Sequence, residues 1–198
     1  MKHLFFTFVV AMVLSFPAYG QEEKHETAVL AGGCFWCIEH DFEKLDGVIK
    51  AVSGYSGGDM PNPTYQNYNK PSGGYKIPHI EVIEVTYDPQ KLTYKEILEY
   101  HVRHIDPTDG DGQFCDRGPG YIPAIFVKND QERQIAIEVM QETANAIDQD
   151  VKVRILDAKT FYPAEDYHQD YAEKNALRYK VYRWNCGRDA RISEVWGK

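Results

Sequence analysis

Two cysteines three residues apart, Cys34 and Cys37, follow a Gly32-Gly33 pair and enclose two aromatics, Phe35 and Trp36. Ile38, Phe42 and Leu45 then fall at i, i+4 and i+7, one face of a helix, and Gly47 stops it. Cys34 therefore lies at or just before a helix N-terminus, where orphan backbone N–H groups and the positive end of the dipole favour thiolate. A bridge between the two cysteines, or two buried structural thiols, suits the same spacing. Cys-x-x-Cys behind a strand is also the arrangement of thioredoxin-like exchangers, but they carry a tryptophan before the first cysteine, whereas here it lies inside the pair. A zinc site needs two more ligands at comparable spacing; Cys115 and Cys186 stand alone, so no metal is expected.

A second group is acidic. In the alternating stretch from His79 to Tyr87, Glu81 shares a face with Ile83, Val85 and Tyr87. Buried there, a carboxyl is held protonated by desolvation and can donate a proton; exposed on an edge strand, it is an ordinary surface acid. Glu165 and His168 have a metal-binding spacing on a helix, but with one such pair, capping and packing are the expected roles.

These groups need elements to hold them. Thr27 to Ala31 suits a buried strand ahead of the Gly-Gly break, and Val48 to Val52 a second. Ser53 to Tyr75 is a long segment rich in glycine and proline, of the kind that is usually functional. Thr93 and Glu96 form a capping box flanked by the Leu92–Ile97 staple, opening a helix that ends before Asp106-Pro107. A Gly- and Asp-rich loop follows to Gly120. Then come a strand over Tyr121 to Val127, a helix over Gln131 to Ile147, a strand over Val151 to Leu156, and a helix opened by Pro163. The tail from Val181 is expected to be irregular. No repeat or linker interrupts the order, so the expectation is one α+β domain with a mixed or antiparallel sheet and flanking helices.

The chain has 198 residues and a formal net charge of −8, which makes electrostatic nucleic-acid binding a poor expectation. Met1-Lys2-His3, the apolar run Leu4 to Pro17 and Ala18-Tyr19-Gly20 form the pattern of a secretory signal peptide cleaved after Gly20. An uncleaved anchor at residues 4–17 is the alternative. The mature domain is then 21–198, periplasmic or secreted, in a compartment where thiols pair unless something reduces them. Four cysteines are too few for a disulfide scaffold, so each is read as a site.

Taken together, the motifs resemble the peptide methionine sulfoxide reductases of the A type. The matching pieces are Gly33-Cys34-Phe35-Trp36-Cys37 with Glu39 and Phe42, Gly47-Val48, Gly54-Tyr55-Ser56-Gly57-Gly58, Asn62-Pro63-Thr64-Tyr65, His79-Ile80-Glu81, Tyr87-Asp88-Pro89, Asp106-Pro107-Thr108, Asp116-Arg117-Gly118 with Tyr121, and the run from Phe161 to Gln169. Each is weak alone; their order across nearly the whole mature domain is specific. The resemblance implies a ferredoxin-like two-layer sandwich.

It also implies roles. Cys34 is the nucleophile that attacks the sulfoxide sulfur, and Phe35 and Trp36 form the pocket for the substrate methyl group. Glu81 protonates the sulfoxide oxygen, which Tyr65 and Tyr121 hold with Asp116 nearby. The implied product is a Cys34 sulfenic acid, converted to an intramolecular disulfide by Cys186 in the C-terminal tail, with Cys115 and Cys37 as alternatives; Cys37 is expected to need a bent first helical turn. An external dithiol of the thioredoxin type resets the enzyme, with no metal or organic cofactor, and the S epimer is the implied substrate. A monomer is expected. The chain departs from the family at Pro78 and Ile80 around His79-Glu81, at Phe114-Cys115 before Asp116, and at Pro119-Gly120 and Ile122-Pro123, changes that bear on the substrate rim. A disulfide exchanger and a secreted binding module with structural cystines are the competing readings.

Overall fold

The computed structural model describes residues 24–197; the expected signal segment lies outside them. In chain order the elements are β1 (Glu26–Ala31), α1 (Phe35–Phe42), β2 (Val48–Ser56), β3 (Ile80–Tyr87), α2 (Tyr94–Arg103), β4 (Gly112–Gln113), β5 (Asp116–Arg117), β6 (Ala124–Val127), α3 (Asp130–Ile147), β7 (Arg154–Asp157), β8 (Tyr162–Pro163), α4 (Tyr171–Lys174), α5 (Ala176–Asn185) and α6 (Arg188–Val195). The main sheet runs β7-β6-β1-β3-β2-β8. Among the described residues, only β6 and β7 pair in parallel. The units β1-α1-β2 and β3-α2-β6, with β6-β1-β3-β2 adjacent, make the ferredoxin-like arrangement.

One face of the sheet, bearing Leu30, Ile83, Val85 and Ile125, packs against Ile38 and Phe42 of α1, Ile97, Leu98 and Val102 of α2, and Val139 of α3. The other carries a smaller apolar cluster around Val82, Ala124 and Phe126. Both methionines of the described residues, Met60 and Met140, are buried. Helix α2 starts as its sequence dictates: Thr93 Oγ1 accepts the Glu96 N–H at 3.3 Å, and Glu96 Oε2 accepts the Thr93 N–H at 2.8 Å.

Three expectations are corrected. Strand β2 runs on to Ser56, because Ser53 to Ser56 continue the antiparallel register with β3. Pro163 does not open a helix: it pairs with Gly54 in β8, and Asp166–His168 form a single 3₁₀ turn. Gln169 explains this, since its side chain accepts the Ser53 N–H (3.0 Å) and donates to the Ser53 and Ala164 carbonyls (2.9 Å each), tying the segment to the edge of β2. The tail is helical, α5 and α6, not irregular. Its pattern is inverted: Arg188 and Tyr179 face inward, while Leu177, Val181 and Trp184 are exposed, Trp184 by 80%. Hydrophobic periodicity reads such a helix on the wrong face.

Candidate active site

Strand β1 ends at Ala31, and Gly32-Gly33 turn the chain into α1. Gly33 has φ of +81°, and a Cβ there would lie 2.6 Å from Gln113 Cβ, so no larger residue fits. The turn makes Cys34 the N-cap of α1 and puts Cys37 one turn on. Both are free thiols and both are buried, Cys37 to 2% exposure. The sulfurs are in hydrogen-bond contact. No unwinding is needed for that contact, since the Cys37 N–H still donates to the Cys34 carbonyl at 3.1 Å. The bend expected for a Cys34–Cys37 disulfide concerns a bond that these two free thiols do not form.

The pair ionises as a unit. The bond from Cys34, and then the charges of Arg188 and Arg183, hold the Cys37 thiol down at about 7 against the desolvation that raises it. Burial, and then the neighbouring Cys37 anion, hold the second proton on Cys34 well above the ordinary thiol range. The expectation of a thiolate at Cys34 from its place at the helix mouth is corrected: its side chain takes no capping N–H of α1, the Phe35 N–H goes to Glu81, and the first negative charge of the pair rests on Cys37.

Glu81 stands at the start of β3 beneath α1, on the helix-covered face and 2% exposed. Its Oε2 accepts the Phe35 N–H at 3.1 Å, supplying the cap that the Cys34 side chain does not. Its Oε1 accepts the Tyr68 hydroxyl at 3.0 Å. Burial outweighs both bonds and pushes the carboxyl up to about 8, so it is an acid at neutral pH.

Tyr68, which sequence reasoning did not single out, is buried and stacked on Tyr55 with centroids 4.9 Å apart. The Tyr121 hydroxyl contacts those of Tyr68 and Tyr65, giving a chain of phenols that ends on Glu81. Tyr65 is the outer member at 38% exposure. Asp116 accepts the Tyr182 hydroxyl at 2.5 Å. Tyr182 also contacts the Cys34 sulfur, so it bridges the two expected site residues. It too was missed, because it lies in the segment read as irregular.

Phe35 and Trp36 diverge. Phe35 is buried against His168 (5.0 Å) and Tyr55 (5.9 Å), whereas Trp36 is half-buried and stacked on Tyr171 at 3.7 Å. The indole Nε1 donates to His168 Nδ1 at 3.0 Å. Glu165 accepts the Tyr55 hydroxyl (2.9 Å) and the Tyr65 N–H (3.0 Å), so the Glu165–His168 pair is engaged in holding aromatics.

Cys186 is not paired with Cys34. It is bonded to Cys115, 71 residues away in sequence, and that disulfide ties the loop before Asp116 to the end of α5. The expected pairing of Cys34 with Cys186 is therefore not the arrangement found, and Cys37 is the thiol in contact.

A buried thiol at a helix mouth, facing a protonated carboxyl and phenol donors, defines the class: a cysteine-based enzyme that gives electrons to a substrate with a basic oxygen. The peptide methionine sulfoxide reductase family model matches residues 26–198. Peptide methionine sulfoxide reductase MsrA 2 of Caulobacter vibrioides is 52% identical over 175 residues, 88% of this chain and 87% of that protein. MsrA 2 of Rhizobium meliloti is 42% identical over 197 residues, covering 100% of this chain and 96% of its own. Among solved structures, reduced Mxr1 of Saccharomyces cerevisiae superposes with a TM-score of 0.69 at 30% identity, over 79% of this chain and 88% of that one. The chain belongs to the peptide methionine sulfoxide reductase family.

Proposed function

We propose that the protein reduces methionine S-sulfoxide, free or in proteins, to methionine, with Cys34 as nucleophile and Glu81 as acid. The observation that carries this reading is the carboxyl of Glu81, kept protonated by burial and bonded to the N–H of the residue after Cys34. A sulfoxide is a poor electrophile until its oxygen is protonated. Cys34 attacks the sulfur as its proton passes to the Cys37 thiolate in contact with it and Glu81 gives a proton to the oxygen, with Tyr65, Tyr121 and Asp116 arrayed around that oxygen. In the collapse the S–O bond of the substrate breaks, the hydroxyl oxygen bonds to the Cys34 sulfur, and the bond between the two sulfurs breaks with its electron pair on the departing thioether; Cys34 is left as sulfenic acid, two electrons having passed from cysteine to methionine. Phe35 and Trp36 supply the apolar wall for the methyl group.

Cys37 is the resolving thiol in this scheme, in place of Cys186: it touches Cys34, and Cys186 is held by Cys115. An external dithiol of the thioredoxin type returns the disulfide to thiols. The protein acts as a monomer, without metal or organic cofactor. Residues 1–20 are removed on export, a reading supported by the leader pattern and by a disulfide suited to an oxidising compartment; the N-terminal mass of the protein isolated from cells tests it.

The activity is tested by assaying purified mature protein on separated S and R epimers of a methionine sulfoxide substrate. Turnover of the S epimer, lost in Cys34→Ser, is expected; equal turnover of both epimers, or activity surviving that substitution, rejects the reading. Cys37→Ser should make one equivalent of methionine and stall, whereas Cys186→Ser should continue to turn over with a dithiol; the reverse pattern returns the resolving role to Cys186.

A further inference from the structure

Arg188 is the largest fully buried side chain of the described residues, 1% exposed, and its guanidinium forms no ion pair among them. Its Nη2 donates to the carbonyls of Gly32 (3.3 Å) and His104 (2.9 Å), and its Nε has no hydrogen-bond partner. The guanidinium lies 4.6 Å over the Phe114 ring. A buried, unpaired cation is costly, and the fold secures it deliberately. Phe114 adopts a left-handed φ of 54° to present its ring, and the Cys115–Cys186 disulfide joins the residue after Phe114 to the second residue before Arg188.

The Gly32 carbonyl places this charge at the turn into α1, beside the thiol pair. The groups that face Cys37 are Cys34 and Asp41 of α1, Glu81 of β3, Tyr179 and Arg183 of α5, and Arg188 of α6. Arg183 is already neutralised by Asp41 (2.9 Å) and Asp189 (2.7 Å), and Glu81 is uncharged at neutral pH. Arg188 alone among these is a cation with no carboxylate at ion-pair distance; the Asp116 and Asp189 carboxylates feel its charge without pairing with it.

We propose that Arg188 is a positioning residue for the resolving step: its unpaired charge holds Cys37 as thiolate, and the Cys115–Cys186 disulfide fastens it in place. This rests on the reading of Cys37 as the thiol that closes on the Cys34 sulfenic acid. In that step the Cys37 thiolate gives its electron pair to the Cys34 sulfur. The S–S bond forms as the S–O bond breaks, and the departing hydroxide takes up a proton and leaves as water. Negative charge at Cys37 is required for the step and consumed in it, so loss of Arg188 slows closure more than methionine formation, in which the attacking sulfur is Cys34.

The direct test needs no substrate. In Cys34→Ser protein kept free of reductant, Cys37 is the remaining unpaired thiol, and its alkylation by iodoacetamide is followed against pH. Arg188→Gln, which retains hydrogen-bond donors without the charge, should raise the midpoint by about one pH unit and slow alkylation at pH 7 about tenfold. Arg188→Lys, which retains the charge, should stay close to the parent. The double variant Cys115→Ser, Cys186→Ser should shift in the same direction as Arg188→Gln; it leaves residue 188 itself untouched, and so serves if the Gln protein does not fold. Profiles that superimpose for all of them, or equal shifts for Gln and Lys, overturn the role of the charge, and an unshifted double variant overturns the fastening. With Cys34 restored, Arg188→Gln should accumulate sulfenic acid trappable by a 1,3-dione after one equivalent of methionine. Absence of any sulfoxide turnover rejects the reductase reading while the alkylation profiles still decide Arg188.

Discussion

Replacing Glu81 by Gln separates what this carboxyl does for the reaction from what it does to the fold. Its protonation midpoint is about 8 in the folded protein against an ordinary 4.5. Between those values the folded chain keeps a proton that the unfolded chain has released, so the contribution of Glu81 to stability falls as pH rises from about 4.5 to about 8. At about 1.4 kcal/mol per unit, the full drop is about 5 kcal/mol, of which about 3 kcal/mol is reached at pH 7. Gln has no proton to lose. Its oxygen can still accept the Phe35 N–H, and its amide can donate to the Tyr68 hydroxyl, which turns from donor to acceptor; such a rearranged bond costs about 1 kcal/mol. Glu81→Gln is thus expected to exceed the parent in stability by about 2 kcal/mol at pH 7 and about 4 kcal/mol at pH 8.5, and to lose the advantage at pH 5. Urea unfolding of both proteins without reductant, at several pH values from 5 to 8.5, gives the difference. Taking the difference also cancels Glu39, another buried carboxyl pushed up to about 7 by desolvation. Methionine formation in a single turnover should fall by about 10² or more, and should fall further in Glu81→Ala, which keeps no donor. A stability difference that does not vary with pH, or a parent that is the more stable protein at pH 8.5, refutes the reasoning.

In the parent, single-turnover sulfoxide reduction should rise through about 7 as the thiol pair ionises and decline through about 8 as Glu81 loses its proton, a narrow bell that stopped-flow fluorescence resolves. Tyr182→Phe, which removes the hydroxyl shared by Asp116 and Cys34, should slow the sulfoxide step about tenfold and leave thermal unfolding within a few degrees of the parent. Gly33→Ala puts a Cβ 2.6 Å from Gln113 at a φ of +81°, so it should cost about 2 kcal/mol or more and displace Cys34, seen as lost alkylation of the first thiol. The double variant Cys115→Ser, Cys186→Ser opens a loop with a sequence separation of 71 residues and should lose about 4 kcal/mol in denaturant unfolding.

Much of this was legible in the residues because local rules and tertiary context agree there. The Gly32-Gly33 break and the Ile38–Phe42 spacing put Cys34 at the mouth of α1, and alternation along β3 put Glu81 on the covered face. The capping box at Thr93 fixed the start of α2. What stayed hidden depends on contacts between distant segments. Tyr68 gains meaning only when the loop after β2 folds back onto β3, and Tyr182 only when α5 lies over α1. The inverted polarity of α5 and α6, with arginine inside and Trp184 outside, defeats a reading by hydrophobic pattern. The Cys115–Cys186 pairing joins two cysteines whose neighbours in sequence carry no hint of each other.

Met60 and Met140 lie inside the fold, each less than a tenth exposed. A thioether becomes a sulfoxide only where an oxidant can reach the sulfur. Conditions harsh enough to damage surface methionines elsewhere therefore leave these two intact while the chain stays folded, and a repair catalyst built this way stays off its own client list: it can go on mending others through an oxidative burst without first waiting for a second copy to mend it.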